Sequence, residues 1–285
     1  MIAQWSLANK KHKVLVRGSL EPEPNTEYLI YQTLLGVWPD GAPQTAAKFQ
    51  ERLWTYLRKA IREAKTQTDW TRPNLDYEEA VRAFLHGILA PGEDNHFLEN
   101  FLPIQARIAD LGRWNSLSAV ALRLGSPGIV DIYQGSELWD LSLVDPDNRR
   151  PVDFATRRRT LADLRARLGS GEARAAVLED LARRRADGRI KLYLLWRGLC
   201  LRRMAPGLFG GGEYLQLASA GQRADHVVSF LRRDGRSLAI VAAGRFFTRL
   251  VGENARPPVG EAVWGDTTIS LPESVSEEAL GDAFS

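Results

Sequence analysis

Residues Ile129-Val130-Asp131-Ile132-Tyr133 form a short β-branched and aromatic run, bounded by Ser126-Pro127-Gly128 before it and Gln134-Gly135 after it. That composition, between those breakers, predicts a buried strand flanked by loops. The sequence on both sides is helical over long stretches. A single buried strand cannot satisfy its own backbone donors and acceptors. Its partners therefore lie either in strands that the residue pattern does not reveal, or on another chain.

Upstream, apolar residues recur at helical spacing. Glu21-Pro22-Glu23-Pro24 is a break. Asn25 or Thr26 can then cap a helix running from Glu27 to Leu35. Trp38-Pro39-Asp40-Gly41 marks a turn. Phe49, Leu53, Leu57, Ile61 and Ala64 line one face of the next helix, with Arg and Glu between them. Asn74 caps a further helix whose inner face is Tyr77, Val81, Phe84, Leu85 and Ile88. Phe97 to Leu124 reads as helix with an interruption near Gly112. Tyr28, Tyr31, Trp54 and Trp70 fit helical packing and are assigned to the core. Lys10-Lys11-His12-Lys13 reads as a solvated helix face or a frayed terminus.

Downstream, Arg157 to about Arg203 is rich in Ala, Leu and Arg and mostly helical. The stretch from Pro206 to Gly212 breaks it. The pattern then becomes β. His226 to Leu231 and Ser237 to Ala243 flank Arg233-Asp234-Gly235-Arg236, and Asp-Gly between two such runs is a strong hairpin signal. Thr267 to Leu271 supplies another strand. No internal repeat is present.

Charge and cysteine content exclude several classes. The 38 Lys and Arg are nearly balanced by 35 Asp and Glu, so the net charge is +3. A nucleic-acid binder shows a more lopsided balance or a basic stripe. Arg157-Arg158-Arg159 and Arg183-Arg184-Arg185 have acidic residues nearby, such as Asp163 and Glu179, and read as solvated helix faces. The single cysteine, Cys200, permits no intrachain disulfide and reads as a core position in a helix. The four histidines are scattered, without metal-ligand spacing. No apolar stretch approaches the roughly 18 residues needed to span a bilayer. The first residues are neither basic nor followed by an apolar run, so a cytoplasmic location is expected.

Longer segments carry a family resemblance. The first runs from Asn25 through Tyr28, Tyr31-Gln32-Thr33 and Gly36 to Trp38-Pro39. The second is Arg62-Glu63-Ala64-Lys65, followed by Trp70. The third and most specific runs from Ser126 to Asp140, through Tyr133-Gln134-Gly135-Ser136-Glu137-Leu138-Trp139, and on through Asp145-Pro146-Asp147-Asn148-Arg149-Arg150-Pro151 to Asp153. A looser match lies at Val263-Trp264-Gly265-Asp266-Thr267. Together these resemble the maltooligosyltrehalose synthases of glycoside hydrolase family 13, the α-amylase family.

The resemblance implies a mixed α and β, mostly helical fold: the C-terminal part of a (β/α)8 barrel with a helical insertion, followed by a small antiparallel β-sandwich. Residues 1–125 would be the helical segment before the last barrel strand. Residues 126–205 would hold that strand, the eighth, at 129–133, with the cleft loop and the closing helices. Residues 206–285 would form a C-terminal β domain, incomplete against the family's pattern. Residues at the C-terminal end of a barrel strand face the active site. That places Gln134, Glu137, Trp139, Asp145, Asn148, Arg149 and Arg150 in a sugar-binding cleft, and Lys65 matches a residue the family retains. The implied ligand is a maltooligosaccharide, with no cofactor and no metal.

The implied chemistry is an intramolecular transglucosylation of trehalose biosynthesis, formally an isomerisation. It turns a reducing-end α-1,4 linkage into an α,α-1,1 linkage. It is retaining, with one carboxylate as nucleophile and one carboxylic acid protonating the leaving oxygen. The family carries its three active-site carboxylates on earlier strands, the last within a His-Asp-Thr-Lys-Arg motif, which does not occur here. The chain is thus expected to contribute no catalytic residue and to be inactive alone. The alternatives are a structural half that pairs with an N-terminal companion chain, or a degraded remnant.

Several residues carry a plainer reading beside the functional one. Glu137 after a strand and a glycine is expected to position its neighbours. Asp145, Asp147 and Asp153 are candidates for a carboxylate pair, and their plainer reading is Asx-type loop capping beside proline. Trp139 suits stacking on a pyranose ring and core packing about equally.

Overall fold

A computed structural model describes residues 1–40, 47–91, 95–170, 173–252, 257–273, 275 and 280–284. The described residues are mostly helical, with short antiparallel strands. The chain divides into two units, Met1–Ala109 with Leu141–Pro151, and Asp110–Asp140 with Val152–Ser285.

The first unit begins with helix α1 (Ile2–Asn9), a 3-10 turn at Lys10–His12, and a hairpin of β1 (Val14–Val16) and β2 (Ser19–Glu21). Val16 pairs with Ser19, so the turn is Arg17-Gly18, and both residues have positive φ, 49° and 90°. That is the primed two-residue turn whose twist matches its strands. The sequence pattern missed this hairpin because its strands are only three residues long. The basic cluster is also not a solvated face throughout: Lys13 Nζ lies 2.7 Å from Glu27 Oε2, with the carboxylate buried.

Helix α2 (Pro24–Val37) starts one residue before the expected caps. Pro24 occupies the first helical turn, where its missing N–H is no loss, so the proline pair opens the helix that it had marked as a break. Helix α3 (Ala47–Ala64) buries Phe49, Leu53, Trp54, Leu57 and Ile61, and Ala64 falls outside that face. Helix α4 (Leu75–Leu89) is capped as expected, with Asn74 Oδ1 accepting from Tyr77 N at 3.3 Å. Trp5 from α1 enters this core edge-on to Tyr31 at 5.5 Å and to Phe97 at 5.7 Å. Burying side chains of this size contributes about 1.5–3 kcal/mol each. Tyr31 and Trp54 are core, but Tyr28 and Trp70 are exposed. Tyr28 lies off the buried face of α2, and Trp70 sits beyond α3 under the Arg62 guanidinium, 5.0 Å from it.

Helix α5 (His96–Gly125) begins in the first unit and continues into the second. It passes Gly112 without interruption. A mid-helix glycine costs about 1 kcal/mol relative to alanine, and the buried Trp114 and Leu117 on the same helix outweigh it.

The second unit also contains α6 (Phe154–Gly169), α7 (Arg174–Arg183), α8 (Arg189–Met204) and the short α9 (Pro206–Gly210). Leu164, Val177, Leu181, Leu192 and Tyr193 form one of its cores. Cys200 on α8 is half-buried. The second arginine run is ion-paired: Arg183 and Arg184 with Asp180, and Arg185 with Asp110.

An antiparallel sheet follows, in the order β3 (Glu213–Gln216), β5 (Val227–Asp234), β6 (Ser237–Gly244). The expected hairpin forms, but Asp234 pairs with Ser237, so its turn is Gly235-Arg236, one residue after the expected Asp-Gly pair, with Gly235 at φ +57°. A second pair joins β4 (Ser219–Ala220) to β7 (Thr268–Ile269), shorter than the Thr267-to-Leu271 run.

The expected strand at 129–133 is absent. These residues have no ladder partner, and Ile129 is fully exposed. Composition made the segment suitable for a strand, but a strand also needs a neighbour, and none of the described strands lies against it.

Candidate functional site

The candidate residues fall into both units. Lys65, Asp145, Asn148, Arg149 and Arg150 belong to the first, and Gln134, Glu137 and Trp139 to the second.

In the first unit, α3 supplies the anchors for loop 141–151. Arg52 and Lys59 are seven residues apart, two helical turns, and so share a face. Arg52 Nε donates to Asp147 Oδ2 at 2.9 Å, and Arg52 Nη2 donates to the Leu141 carbonyl. Lys59 Nζ donates to the Asp145 carbonyl at 2.7 Å and lies 3.6 Å from Asp145 Oδ2. The buried Asp147 organises the loop from within. It accepts from Leu143 N at 2.7 Å, and Arg150 Nε lies 3.1 Å from Oδ1. A 3-10 turn at Asp147–Arg149 then carries Asn148 and Arg149.

The outer side of this loop is rich in hydrogen-bond donors. Arg149 is exposed and pairs with Asp145. Arg150 is more than half exposed, and its Nη2 donates to Ser142 Oγ at 3.0 Å. Asn148 is half-buried, with Oδ1 accepting no hydrogen bond from the described atoms. Lys65 stands just beyond α3, exposed, with a positive φ of 56°. The loop thus presents several donors, with the carboxylates of Asp145 and Asp147 already paired.

The three aspartates weighed as a carboxylate pair have structural partners. Asp145 and Asp147 hold the loop as described. Asp153 caps α6, accepting from Thr156 Oγ1 at 2.6 Å and Thr156 N at 2.9 Å, and those bonds hold its carboxyl below the usual range. The capping reading therefore describes Asp147 and Asp153, which accept backbone N–H groups, whereas Asp145 is ion-paired with Lys59 and Arg149.

Asp147→Ala is expected to strand the Arg52 guanidinium and leave the Leu143 N–H unpaired. The stability loss is about 2 kcal/mol. Limited proteolysis checks it: new cleavage within 141–151 is the expected result, and an unchanged pattern would argue against Asp147 as the anchor.

In the second unit, Gln134 is exposed. Glu137 Oε2 accepts from Arg157 Nε at 2.8 Å, and Arg157 also donates to the carbonyls of Gly135 and Asp153. Glu137 is thus a neutralised residue that fixes the turn after 133. Trp139 is half-buried. Its indole N–H donates to the Arg185 carbonyl at 2.7 Å, and Lys191 Nζ lies 5.4 Å from its ring centre. It packs beside Leu111, Ile190 and Leu194 around the buried Trp114 and Leu117.

Sequence reasoning did not find Arg52, Lys59 or Arg157. Their partners lie 95, 86 and 20 residues away, and no local signal marks such pairs. Among the described residues, no group of three or more His, Cys, Asp or Glu is placed to hold a metal ion. No described helix is long and apolar enough to cross a membrane.

No family model matches the chain. Two proteins of Mycobacterium tuberculosis, from strains CDC 1551 and H37Rv and provisionally named maltooligosyl trehalose synthase, are each 36% identical to it over 259 residues. The matches cover 91% of this chain and 29% of theirs, so the chain spans under a third of these curated relatives. A solved maltooligosyltrehalose synthase from Arthrobacter ramosus superposes with a TM-score of 0.68 at 31% identity, covering 94% of this chain and 30% of that one. Another solved maltooligosyl trehalose synthase gives 0.65 at 31% identity, covering 84% and 29%.

Proposed function

We propose that this chain, a homologue of the C-terminal portion of maltooligosyl trehalose synthases, supplies walls of a maltooligosaccharide cleft and not its catalytic carboxylates. The sequence identity over nine-tenths of the chain carries this reading. The donor-rich loop at 145–150, held against α3 by Arg52 and Lys59, supports it. In the first unit, Asn148, Arg149 and Arg150 would bind sugar hydroxyls and Lys65 would add a polar contact; in the second, Gln134 would add a polar contact and Glu137 and Trp139 would position the turn after 133. The complete enzyme would be a glycoside hydrolase family 13 barrel converting maltooligosaccharide reducing ends to trehalose-type ends, without a cofactor and in the cytoplasm. Residues 1–125, 126–205 and 206–285 would be its helical insertion, its last strand with closing helices, and its β-sandwich region.

Incubation of the purified chain with maltohexaose tests the division of labour. The reducing-end signal is expected to stay constant. Accumulation of a non-reducing trehalosyl product would show that the chain carries its own catalytic carboxylates and would overturn the reading.

The bare segment at 129–133 favours a companion chain. Residues with no ladder partner can pair with a neighbouring strand supplied from elsewhere. An N-terminal barrel chain of the same source would then co-elute with this one in gel filtration. Separate elution at micromolar concentrations would count against it.

A further inference from the structure

A cavity of about 250 Å³ lies wholly within the second unit, between α5, the 130–136 segment and α8. Its body is apolar, formed by Ala119, Val120, Leu124, Val130, Ile132 and Leu195. Two cations line it, Arg123 near the end of α5 and Lys191 in the first turn of α8. Ser116, Ser136 and Tyr133 add hydroxyls.

Neither cation has a carboxylate within ion-pair distance among the described residues. Arg123 Nη1 donates to the Asp131 carbonyl. Lys191 Nζ makes only a long contact, 3.4 Å, to the Leu138 carbonyl, and lies near the Trp139 ring. The nearest negative groups acting on Lys191 are Asp140 and Glu137, and Glu137 is taken by Arg157. Burial is the larger influence and holds the Lys191 ammonium below the usual lysine range, with Asp140 and then Glu137 pulling the other way. Lys191 is half-buried and Arg123 is exposed. A half-buried cation without a counter-ion is costly, and a bound anion offsets that cost at Lys191.

We propose that this cavity binds a small oxyanion, a carboxylate or phosphate ester with a compact apolar body, through Arg123 and Lys191. The volume lies just below the usual range for small-molecule sites, so the occupant is small. Ser116 and Tyr133 can donate to the remaining oxygens, while the Ser136 hydroxyl already donates to the Tyr133 carbonyl at 2.6 Å. The site is built wholly from residues of the second unit, and the proposal does not depend on the carbohydrate reading.

Calorimetric titration of the 285-residue chain with inorganic phosphate, butyrate and glycerol 3-phosphate tests it. Millimolar binding is expected, weakening with added salt. Lys191→Met and Arg123→Met should each weaken it at least tenfold, while Lys191→Arg retains it. Preference between butyrate and the two phosphates identifies the class of oxyanion. Absence of binding to all three, or affinities equal in wild type and both methionine variants, would overturn the proposal. Should a methionine variant not fold, amine labelling of the wild-type chain decides. Acetylation of Lys191 by acetic anhydride should slow several-fold when phosphate is present, and an unchanged rate would count against the site.

Discussion

Arg232→Leu is expected to destabilise the second unit by about 3–5 kcal/mol, seen as a fall in the urea midpoint at constant slope. Arg232 is fully buried on β5, the central strand of its sheet. Its guanidinium donates only to carbonyls: Gly212 at 2.7 Å, Glu213 at 3.1 Å and Gly125 at 3.4 Å. Gly125 ends α5, so the charge meets the negative end of that helix dipole. Arg202 reinforces the same end, donating to Leu124 O at 2.7 Å and Ser126 O at 2.9 Å. Leucine fills part of the space but leaves three buried acceptors unpaired, at about 1–3 kcal/mol each. Domains of this kind have only about 5–15 kcal/mol in total. The adjacent Arg233 provides the control. Its pair with Glu213, at 2.6 Å, is at the surface, and Arg233→Leu should change stability by no more than about 1 kcal/mol. Equal effects at 232 and 233 would refute the carbonyl-clamp account.

That contrast also shows what a residue pattern reveals. The strand itself was legible, because Val227, Val228, Phe230 and Leu231 are strand formers and Gly235 suits the turn. The burial of Arg232 was not, because it depends on where α5 ends in space. Asn74 was legible as a cap because its partner, Tyr77 N, is three residues away. The role of Asp147 was legible only as loop capping, since Arg52 is 95 residues distant. The segment at 129–133 marks the opposite limit. Its composition is that of a strand, yet strand formation is a property of a pair, and the described strands offer it no edge. The loop at 145–150 was found through resemblance, and its fastening to α3 came only with the fold.

In the first unit the largest loss is expected at Glu27, where Glu27→Leu should lower stability by about 3–5 kcal/mol. Glu27 is buried and receives three donors: Lys13 Nζ at 2.7 Å, Tyr31 Oη at 2.7 Å and Ser6 Oγ at 3.1 Å. Asn9 Nδ2 donates in turn to Tyr31 Oη at 2.9 Å. Burial pushes the Tyr31 hydroxyl far above its ordinary pKa, and although the Asn9 bond pulls it down, the bond to Glu27 raises it further. The hydroxyl therefore stays protonated and remains a donor. Through these bonds α1 and the segment before the first hairpin are tied to α2. Removing the carboxylate leaves Lys13, itself largely buried, without its counter-ion. Removing both charges should cost far less than the sum of the two single changes, because burying an ion pair is nearly balanced by its desolvation. Glu27→Leu combined with Lys13→Met should accordingly recover more than half of the loss in a urea denaturation series. A double variant as unstable as the sum of the singles would show that the two charges do not act as a pair, and that the N-terminal segment is held by its apolar contacts, with Trp5 at their centre.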